Sequence, residues 1–377
     1  MPRKGDRVLS LQKLLEEMVQ RNASDLHITA GVPPQYRIDG EIVSSNYEVV
    51  TPESAEQIIY SILREDQRKR FEMSRELDLS FGVKGLSRFR ANVFLQRGVI
   101  AGAFRTIPYQ VMTFDQLGLP TVVQDFATLQ KGLILVTGPT GSGKSTTLAA
   151  IIDKINNERS LHIITIEDPI EYVHQHKKSI VNQREVNADT ASFPSALKYI
   201  LRQDPDVILV GEMRDLETVA AALTIAETGH LVFATLHTNS TYESINRIVD
   251  VFPPQQQHQV LSQLAFVLRG VVTQQLVPRY KSPGRVLVAE ILICTPAISA
   301  VVREGKIHQI YTLMQAGQKF GMQTMNQGLF QAYIARKISL DEALMRSPDR
   351  RELEQMLQKT NPGLVVPQTA GRAVASR

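Results

Sequence analysis

The segment Gly138-Pro139-Thr140-Gly141-Ser142-Gly143-Lys144-Ser145 constrains this chain more than any other, because it satisfies G-x-x-x-x-G-K-[ST] without departure. It stands between a short apolar run over residues 133–137 and a helical pattern over 145–156. Strand, glycine-rich turn and helix in that order make a phosphate cradle. The glycines let backbone N–H groups curl round anionic oxygens, and the positive end of the helix points at them. Lys144 then reaches the β- and γ-phosphates of a nucleotide, the Ser145 hydroxyl ligates Mg2+, and Thr146 closes the nucleotide-binding stretch. Four constrained positions arise by chance in about one chain of this length in a hundred, and the flanking strand and helix make chance a poor account. ATP and Mg2+ are the expected ligands.

The rest of the chain supplies the sheet on which such a loop is mounted. Residues 133–137, 161–166, 207–210, 231–235 and 286–292 are short, nearly continuous apolar runs. Strands buried on both faces by crossover helices read this way, so a mainly parallel α/β sheet is expected. Helices are predicted over 145–156, 193–202 and 216–228, with helical sequence from 295 to about 345. The first hundred residues differ. Val8, Leu11, Leu14, Leu15 and Met18 form one helical stripe over 8–20, and residues 24–29 and 35–43 read as strands, the second with an Asp39-Gly40 turn. Thr51-Pro52-Glu53 has helix-start grammar. Residues 88–94 and 99–106 form a strand-like, arginine-rich pair. The expected organisation is an α+β domain over 1–108, a linker over 109–130, the ATPase domain over 131–345 and a tail over 346–377, disordered from 361.

Hydrolysis needs more than a bound phosphate: a carboxylate must activate water and others must hold the metal. Two apolar runs end in acids, as Asp206-Val207-Ile208-Leu209-Val210-Gly211-Glu212 and as Glu167-Asp168-Pro169-Ile170-Glu171. Open α/β sheets bind ligands beyond the carboxyl ends of their strands, so one acid serves the metal and one the water. Glu171 and Glu212 are the candidates, while Glu167 and Asp168 fit loop or helix caps equally well. The aspartate usual before the Walker B glutamate is Gly211 here, which leaves Glu212 to act on Mg2+ through water. His230 and His237 flank residues 231–236, and their spacing puts them on opposite faces of a strand, against a shared metal. His237, at the carboxyl end, is the candidate γ-phosphate sensor; His230 fits a loop anchor.

Arg88, Arg90, Arg97 and Arg105 cluster in the last strand pair of the first domain. They fit a solvated sheet face, or they reach a nucleotide when domains or subunits close, stabilising the transferring phosphoryl group. The net charge is only +4, with no Trp and 6% aromatic residues, so a nucleic-acid partner is not expected. Cys294 is the only cysteine, which excludes an internal disulfide and a cysteine-based zinc site. No apolar run approaches the roughly 20 residues that span a bilayer, and the N-terminus lacks a signal-peptide pattern. A cytoplasmic protein is expected.

Several separate stretches resemble one family. Ser24-Asp25-Leu26-His27 with Arg37-Ile38-Asp39-Gly40, the loop GPTGSGKSTTLAA, the acidic box ITIEDPIEYVH, the Walker B form ILVGEMRD and the histidine box GHLVFATLHT are all similar to type IV pilus retraction (PilT-like) ATPases of the type II/IV secretion superfamily. The resemblance implies a PAS-like N-terminal domain on a RecA-like core, assembled as a homohexameric ring at the cytoplasmic side of the inner membrane. It implies Glu171 as the water-activating acid, Glu212 beside Mg2+, His230 and His237 in the histidine box, and Arg90 and Arg105 as phosphate-contacting arginines, with Arg97 less well matched. A polytopic pilus platform protein and a paralogous pilus ATPase are the implied partners. Pilus-extension and type II secretion relatives carry a four-cysteine zinc insertion, which a single cysteine does not allow. One motif departs: the family's AIRNLIRE is Ala297-Ile298-Ser299-Ala300-Val301-Val302-Arg303-Glu304 here, which leaves room for an accessory paralogue. A RecA-like nucleic-acid translocase and an assembly protein that binds but barely hydrolyses ATP are the rival readings.

Overall fold

The computed structural model describes residues 10–360, apart from 39 and 109. Contacts divide the chain into two units: one runs as far as Gln110 and includes the loop Pro169–His174, and the other holds Val111–Asp168 and the chain from Gln175 onward.

In the N-terminal unit, α1 (Leu11–Gln20) starts where the Ser10 side chain accepts the Lys13 N–H, and it buries Leu11, Leu14, Leu15 and Met18. Strands β1 (Asp25–Ile28), β2 (Gln35–Ile38), β3 (Glu41–Ser44), β4 (Glu76–Val83), β5 (Ser87–Gln96) and β6 (Val99–Ile107) form an antiparallel sheet in the order β3-β2-β1-β6-β5-β4. The strand expected over 35–43 is thus a hairpin of β2 and β3; Asp39 lies outside the described residues, and Gly40 has φ +88. Thr51 caps α2 (Pro52–Tyr60) in a capping box, as its grammar predicted. The helix α3 (Glu65–Ser74) was not legible, since Phe71 is its only buried side chain. Along β5 the alternation is clean: Phe89, Ala91 and Val93 are fully buried while Arg88, Arg90 and Asn92 take the other face.

In the core unit, β7 (Gly132–Thr137), β8 (His162–Glu167), β9 (Ile180–Glu185), β10 (Val207–Val210), β11 (Leu231–Leu236), β12 (Leu268–Pro278) and β13 (Arg285–Ile293) order as β13-β12-β7-β11-β10-β8-β9. Every neighbouring pair is parallel except β12 with β13. All five expected runs are strands. The two unexpected strands explain themselves: β9 is a half-polar edge, and β12 interrupts its apolar residues with Arg269, Thr273, Gln274 and Gln275. Leu133, Leu135, Ile208, Val210, Val232 and Ala234 pack on one face of the sheet. Ile134, Val136, Val207, Leu209, Leu231 and Phe233 pack on the other. Burial on both sides is why these strands read as unbroken apolar runs.

Two boundaries are corrected. Residues 109–130, expected as linker, include α4 (Phe114–Leu117) and α5 (Thr121–Asp125), and Phe114, Leu119, Val123 and Phe126 are buried in the core's own apolar cluster. The remaining helices are α6 (Lys144–Glu158), α7 (Phe193–Ile200), α8 (Leu216–Glu227), α9 (Thr241–Asp250), α10 (Pro254–Val267), α11 (Pro296–Arg303), α12 (Ile310–Ala316), α13 (Met325–Ile334), α14 (Leu340–Arg346) and α15 (Arg350–Thr360). The last begins past the expected domain end at 345. Its Leu353 and Leu357 are buried against the α13 and β13 side chains Met325, Leu329 and Val288, so part of the expected tail is core. The residues from 361, expected to be disordered, lie outside the described residues. No described helix is long and apolar enough to cross a membrane.

Candidate nucleotide site

The phosphate loop leaves the carboxyl end of β7 and enters α6 at Gly143, which takes φ +89 as the helix N-cap. Helices α7, α8 and α9 have their first turns capped by the side chains of Ser192, Asp215 and Ser240. Helix α6 has no side-chain cap, so its first N–H groups and the positive helix end are presented to an anion. Gly138 has φ +138, and a Cβ there would come within 2.4 Å of the Gln274 carbonyl oxygen; no other residue fits. The Lys144 Nζ lies on the loop, donating to the carbonyl oxygens of Gly138 at 2.9 Å and Pro139 at 3.1 Å. Ser142 and Lys144 are buried, Ser145 and Thr146 half-buried, and Pro139, Thr140 and Gly141 form the exposed rim.

Glu212 follows β10, two strands from the loop in the sheet order. Its Oε1 accepts from Arg214 Nε at 2.5 Å and stands 3.3 Å from His237 Nε2. That hydrogen bond and the Glu212 charge raise the Arg214 pKa above its ordinary value. Glu212 and His237 therefore meet at the carboxyl edge, on the wall of a pocket of about 350 Å3 completed by Glu243, Asn246, Arg247 and Asp250. Arg214 was not singled out by the sequence, although it stands within the Walker B stretch that carries the resemblance.

Gly211 now has a reason. Its N–H donates to Ile166 O at 2.7 Å, and its carbonyl accepts the Thr235 hydroxyl at 2.5 Å. A Cβ would lie 3.0 Å from that Ile166 oxygen and 3.2 Å from Glu167 Cα. An aspartate here would need the backbone of β8 to give way by a few tenths of an ångström. Beside it, Glu167 accepts from Thr165 Oγ1 at 2.7 Å and Gln183 Nε2 at 3.2 Å.

His230 is elsewhere. It precedes β11, its carbonyl accepts the N–H of Gly132 at the start of β7, and its Nδ1 lies 3.1 Å from Thr228 Oγ1. In a parallel sheet that is the amino-terminal edge, about 20 Å from the loop by strand rise. The structure joins His237 to Glu212 and places His230 between α8 and β11.

The chain matches the family described as Type II/IV secretion system protein over residues 103–346. It belongs to that family. It is 49% identical to the type IV pilus retraction ATPase PilT of Pseudomonas aeruginosa, over 84% of this chain and 92% of that protein. It is 40% identical to the type IV pilus ATPase PilU of the same organism, over 93% of this chain and 92% of that one. A crystal structure of the pilus retraction motor PilT with bound ADP matches with TM-score 0.88 and 53% identity, covering 93% of this chain and all 100% of that one. Within the family this is a PilT-like ATPase with a nucleotide-binding core.

The remaining candidates of this PilT-like chain lie in the N-terminal unit. Register sets Arg90 directly opposite Arg105, and Arg105 opposite Asp25, in one cross-strand row. Facing arginines repel, and buried Asp25 offsets this by taking Arg105 Nε at 2.8 Å, with Arg37 Nε 3.7 Å away. The Arg105 side chain stays 67% exposed, so most of its guanidinium is available to a ligand. Arg90 lies 3.8 Å from Asp78. Arg97, with φ 52, and Gly98, with φ 80, make the two-residue turn of the β5–β6 hairpin, away from that row. Glu171 lies in the loop Pro169–His174, whose contacts assign it to the N-terminal unit although both flanking segments belong to the core. The departing motif lies on α11, where Ile298 and Val302 are buried in the core and Ser299 and Ala300 half-buried. The substituted positions thus keep the helix and its packing stripe.

Proposed function

We propose that this chain is an ATP-hydrolysing motor that drives type IV pilus retraction, working as a homohexameric ring in the cytoplasm at the inner membrane. The observation that carries it is the intact phosphate loop on β7 and α6, with Glu212 and His237 at the same sheet edge, in a PilT-like chain. Lys144 and the loop N–H groups bind the phosphates. The Ser145 hydroxyl and Glu212 carboxylate are hard oxygen donors of the kind Mg2+ takes, and they would hold it, lowering the charge on the phosphates. Glu171 activates water, Arg90 and Arg105 stabilise the transferring phosphoryl group, and His237 reads the γ-phosphate through its contact with Glu212. His230 is an anchor. A pilus platform protein in the inner membrane receives the work.

Deleting the gene tests the reading: cells should carry more surface pili that no longer retract, and normal retraction would sink it. In the purified protein, Glu171→Gln should bind ATP while turnover falls; equal, negligible rates in both forms would leave an assembly protein rather than a motor. The Ser299 and Ala300 substitutions on α11 favour one second reading, an accessory ATPase beside a paralogue. Retraction that stops only when a second pilus ATPase is also removed would select it.

A further inference from the structure

The phosphate loop is braced from a strand that the motif does not include. Gln274 stands on β12, one residue past Thr273, the last partner of β7, and is fully buried. Its Nε2 donates to the Ser142 carbonyl oxygen at 2.8 Å, and its Oε1 accepts the Thr147 hydroxyl at 3.0 Å. Ser142 is inside the loop and Thr147 in the first turns of α6. The backbone of Gln274 closes the other side, because it is the oxygen that forbids a Cβ on Gly138. A Cβ on Gly143 would in turn come within 3.3 Å of its Nε2. One residue therefore touches the beginning of the loop, its end and the helix it feeds.

We propose that Gln274 is a positioning residue for nucleotide binding, fixing the Ser142–Gly143 peptide in the orientation that phosphate requires. The peptide is planar and trans, so its C=O and N–H point to opposite sides. Holding the Ser142 oxygen on Gln274 aims the Gly143 N–H away from β12, and that N–H is one of the donors a phosphate loop offers. Only an amide meets both demands. The Thr147 hydroxyl gives its hydrogen to one end of the side chain, and the Ser142 carbonyl takes a hydrogen from the other. A reversed amide would set oxygen against carbonyl oxygen. Glutamate keeps the acceptor but loses the donor, and methionine fills the space with neither.

The proposal rests on the phosphate-loop reading, and the experiment separates the two. ATP turnover and ADP titration are measured on the full-length protein as wild type, Gln274→Glu, Gln274→Met and Thr147→Val, with thermal unfolding recorded without nucleotide. Wild type that binds neither nucleotide refutes the loop reading itself. With wild-type binding intact, Gln274→Glu and Gln274→Met should each raise KM for ATP and Kd for ADP about 10-fold, as expected for a buried carbonyl left unpaired, with kcat within about twofold. Thr147→Val, which leaves the Ser142 bond in place, should move both constants less. A merely structural amide would lower the unfolding temperature and leave KM and Kd at wild-type values; that result overturns the proposal. Should Gln274→Glu fail to fold, Gln274→Met decides on the same constants, and should both fail, Gln274→Asn, one methylene too short for both partners, does so.

Discussion

In the N-terminal sheet, Arg90 and Arg105 stand mid-strand on an open face, whereas in the core sheet every charged group of the site stands beyond a strand end. The difference follows from how each sheet is covered. An antiparallel sheet can leave one face wet, and alternation then displays charges along a strand. The parallel core sheet is packed on both faces, so only its edges reach solvent. Support differs as well. Arg105 is held by a single buried carboxylate, while the loop and Gly211 are confined by backbone from neighbouring strands. Chemistry on the open face depends on long, adjustable side chains; at the edge it depends on rigid main chain.

Four experiments break or sharpen that contrast. Arg105→Ala should lower kcat about 1000-fold, as loss of a charge used in phosphoryl transfer does, while nucleotide affinity changes little. An unchanged kcat would return Arg105 to a solvated face and make the core edge the sole seat of chemistry. Lys144→Ala acts on binding instead. ATP affinity should fall at least about 30-fold in a fluorescent-nucleotide titration, from lost charge-assisted hydrogen bonds. Gly211→Asp would supply the usual Walker B aspartate, yet it should cost about 1–3 kcal/mol of stability through overpacking and rescue no activity. A thermal melt at wild-type temperature would mean that β10 and β8 separate readily.

The smallest effect is a pH response confined to the N-terminal sheet. Burial, helped by Arg37 and Arg105 and opposed by Asp25, lowers the His27 pKa below its ordinary 6.5. The folded sheet therefore favours neutral His27. The resulting stability is present above pH 6.5 and declines as pH falls through the lowered value. The protection of β1 amides relative to their intrinsic exchange rate should fall slightly between pH 7 and 5, and His27→Gln should flatten that change. Equal acid sensitivity in wild type and variant would assign the response to other groups.

Much of the core was legible because its signals are local. The apolar runs at 207–210 and 231–235 became β10 and β11 almost residue for residue, and in the N-terminal unit Thr51 capped the helix its grammar announced. What escaped were elements whose support is remote. Strand β12 hides behind polar Thr273 and Gln274, which are buried because they bond to Thr137, Ser142 and Thr147 across the fold. Helix α3 shows a single buried side chain. Residues 109–130 looked like a linker because α4 and α5, of 4 and 5 residues, are too short to show a helical period, and the apolar groups there find their partners only in the core cluster.

By itself the sequence determined that a glycine-rich turn joins a buried strand to a helix, and hence that phosphate is bound. Those are matters of backbone freedom and spacing within a few residues. The tertiary structure decided that His237 meets Glu212 while His230 occupies the opposite edge, that Arg90 faces Arg105, and that the loop carrying Glu171 groups with the N-terminal unit. It also set Gln274 against a loop 132 residues away along the chain. Strand order and register create such meetings, and no local pattern encodes them, because the partners become neighbours only once the sheets have formed.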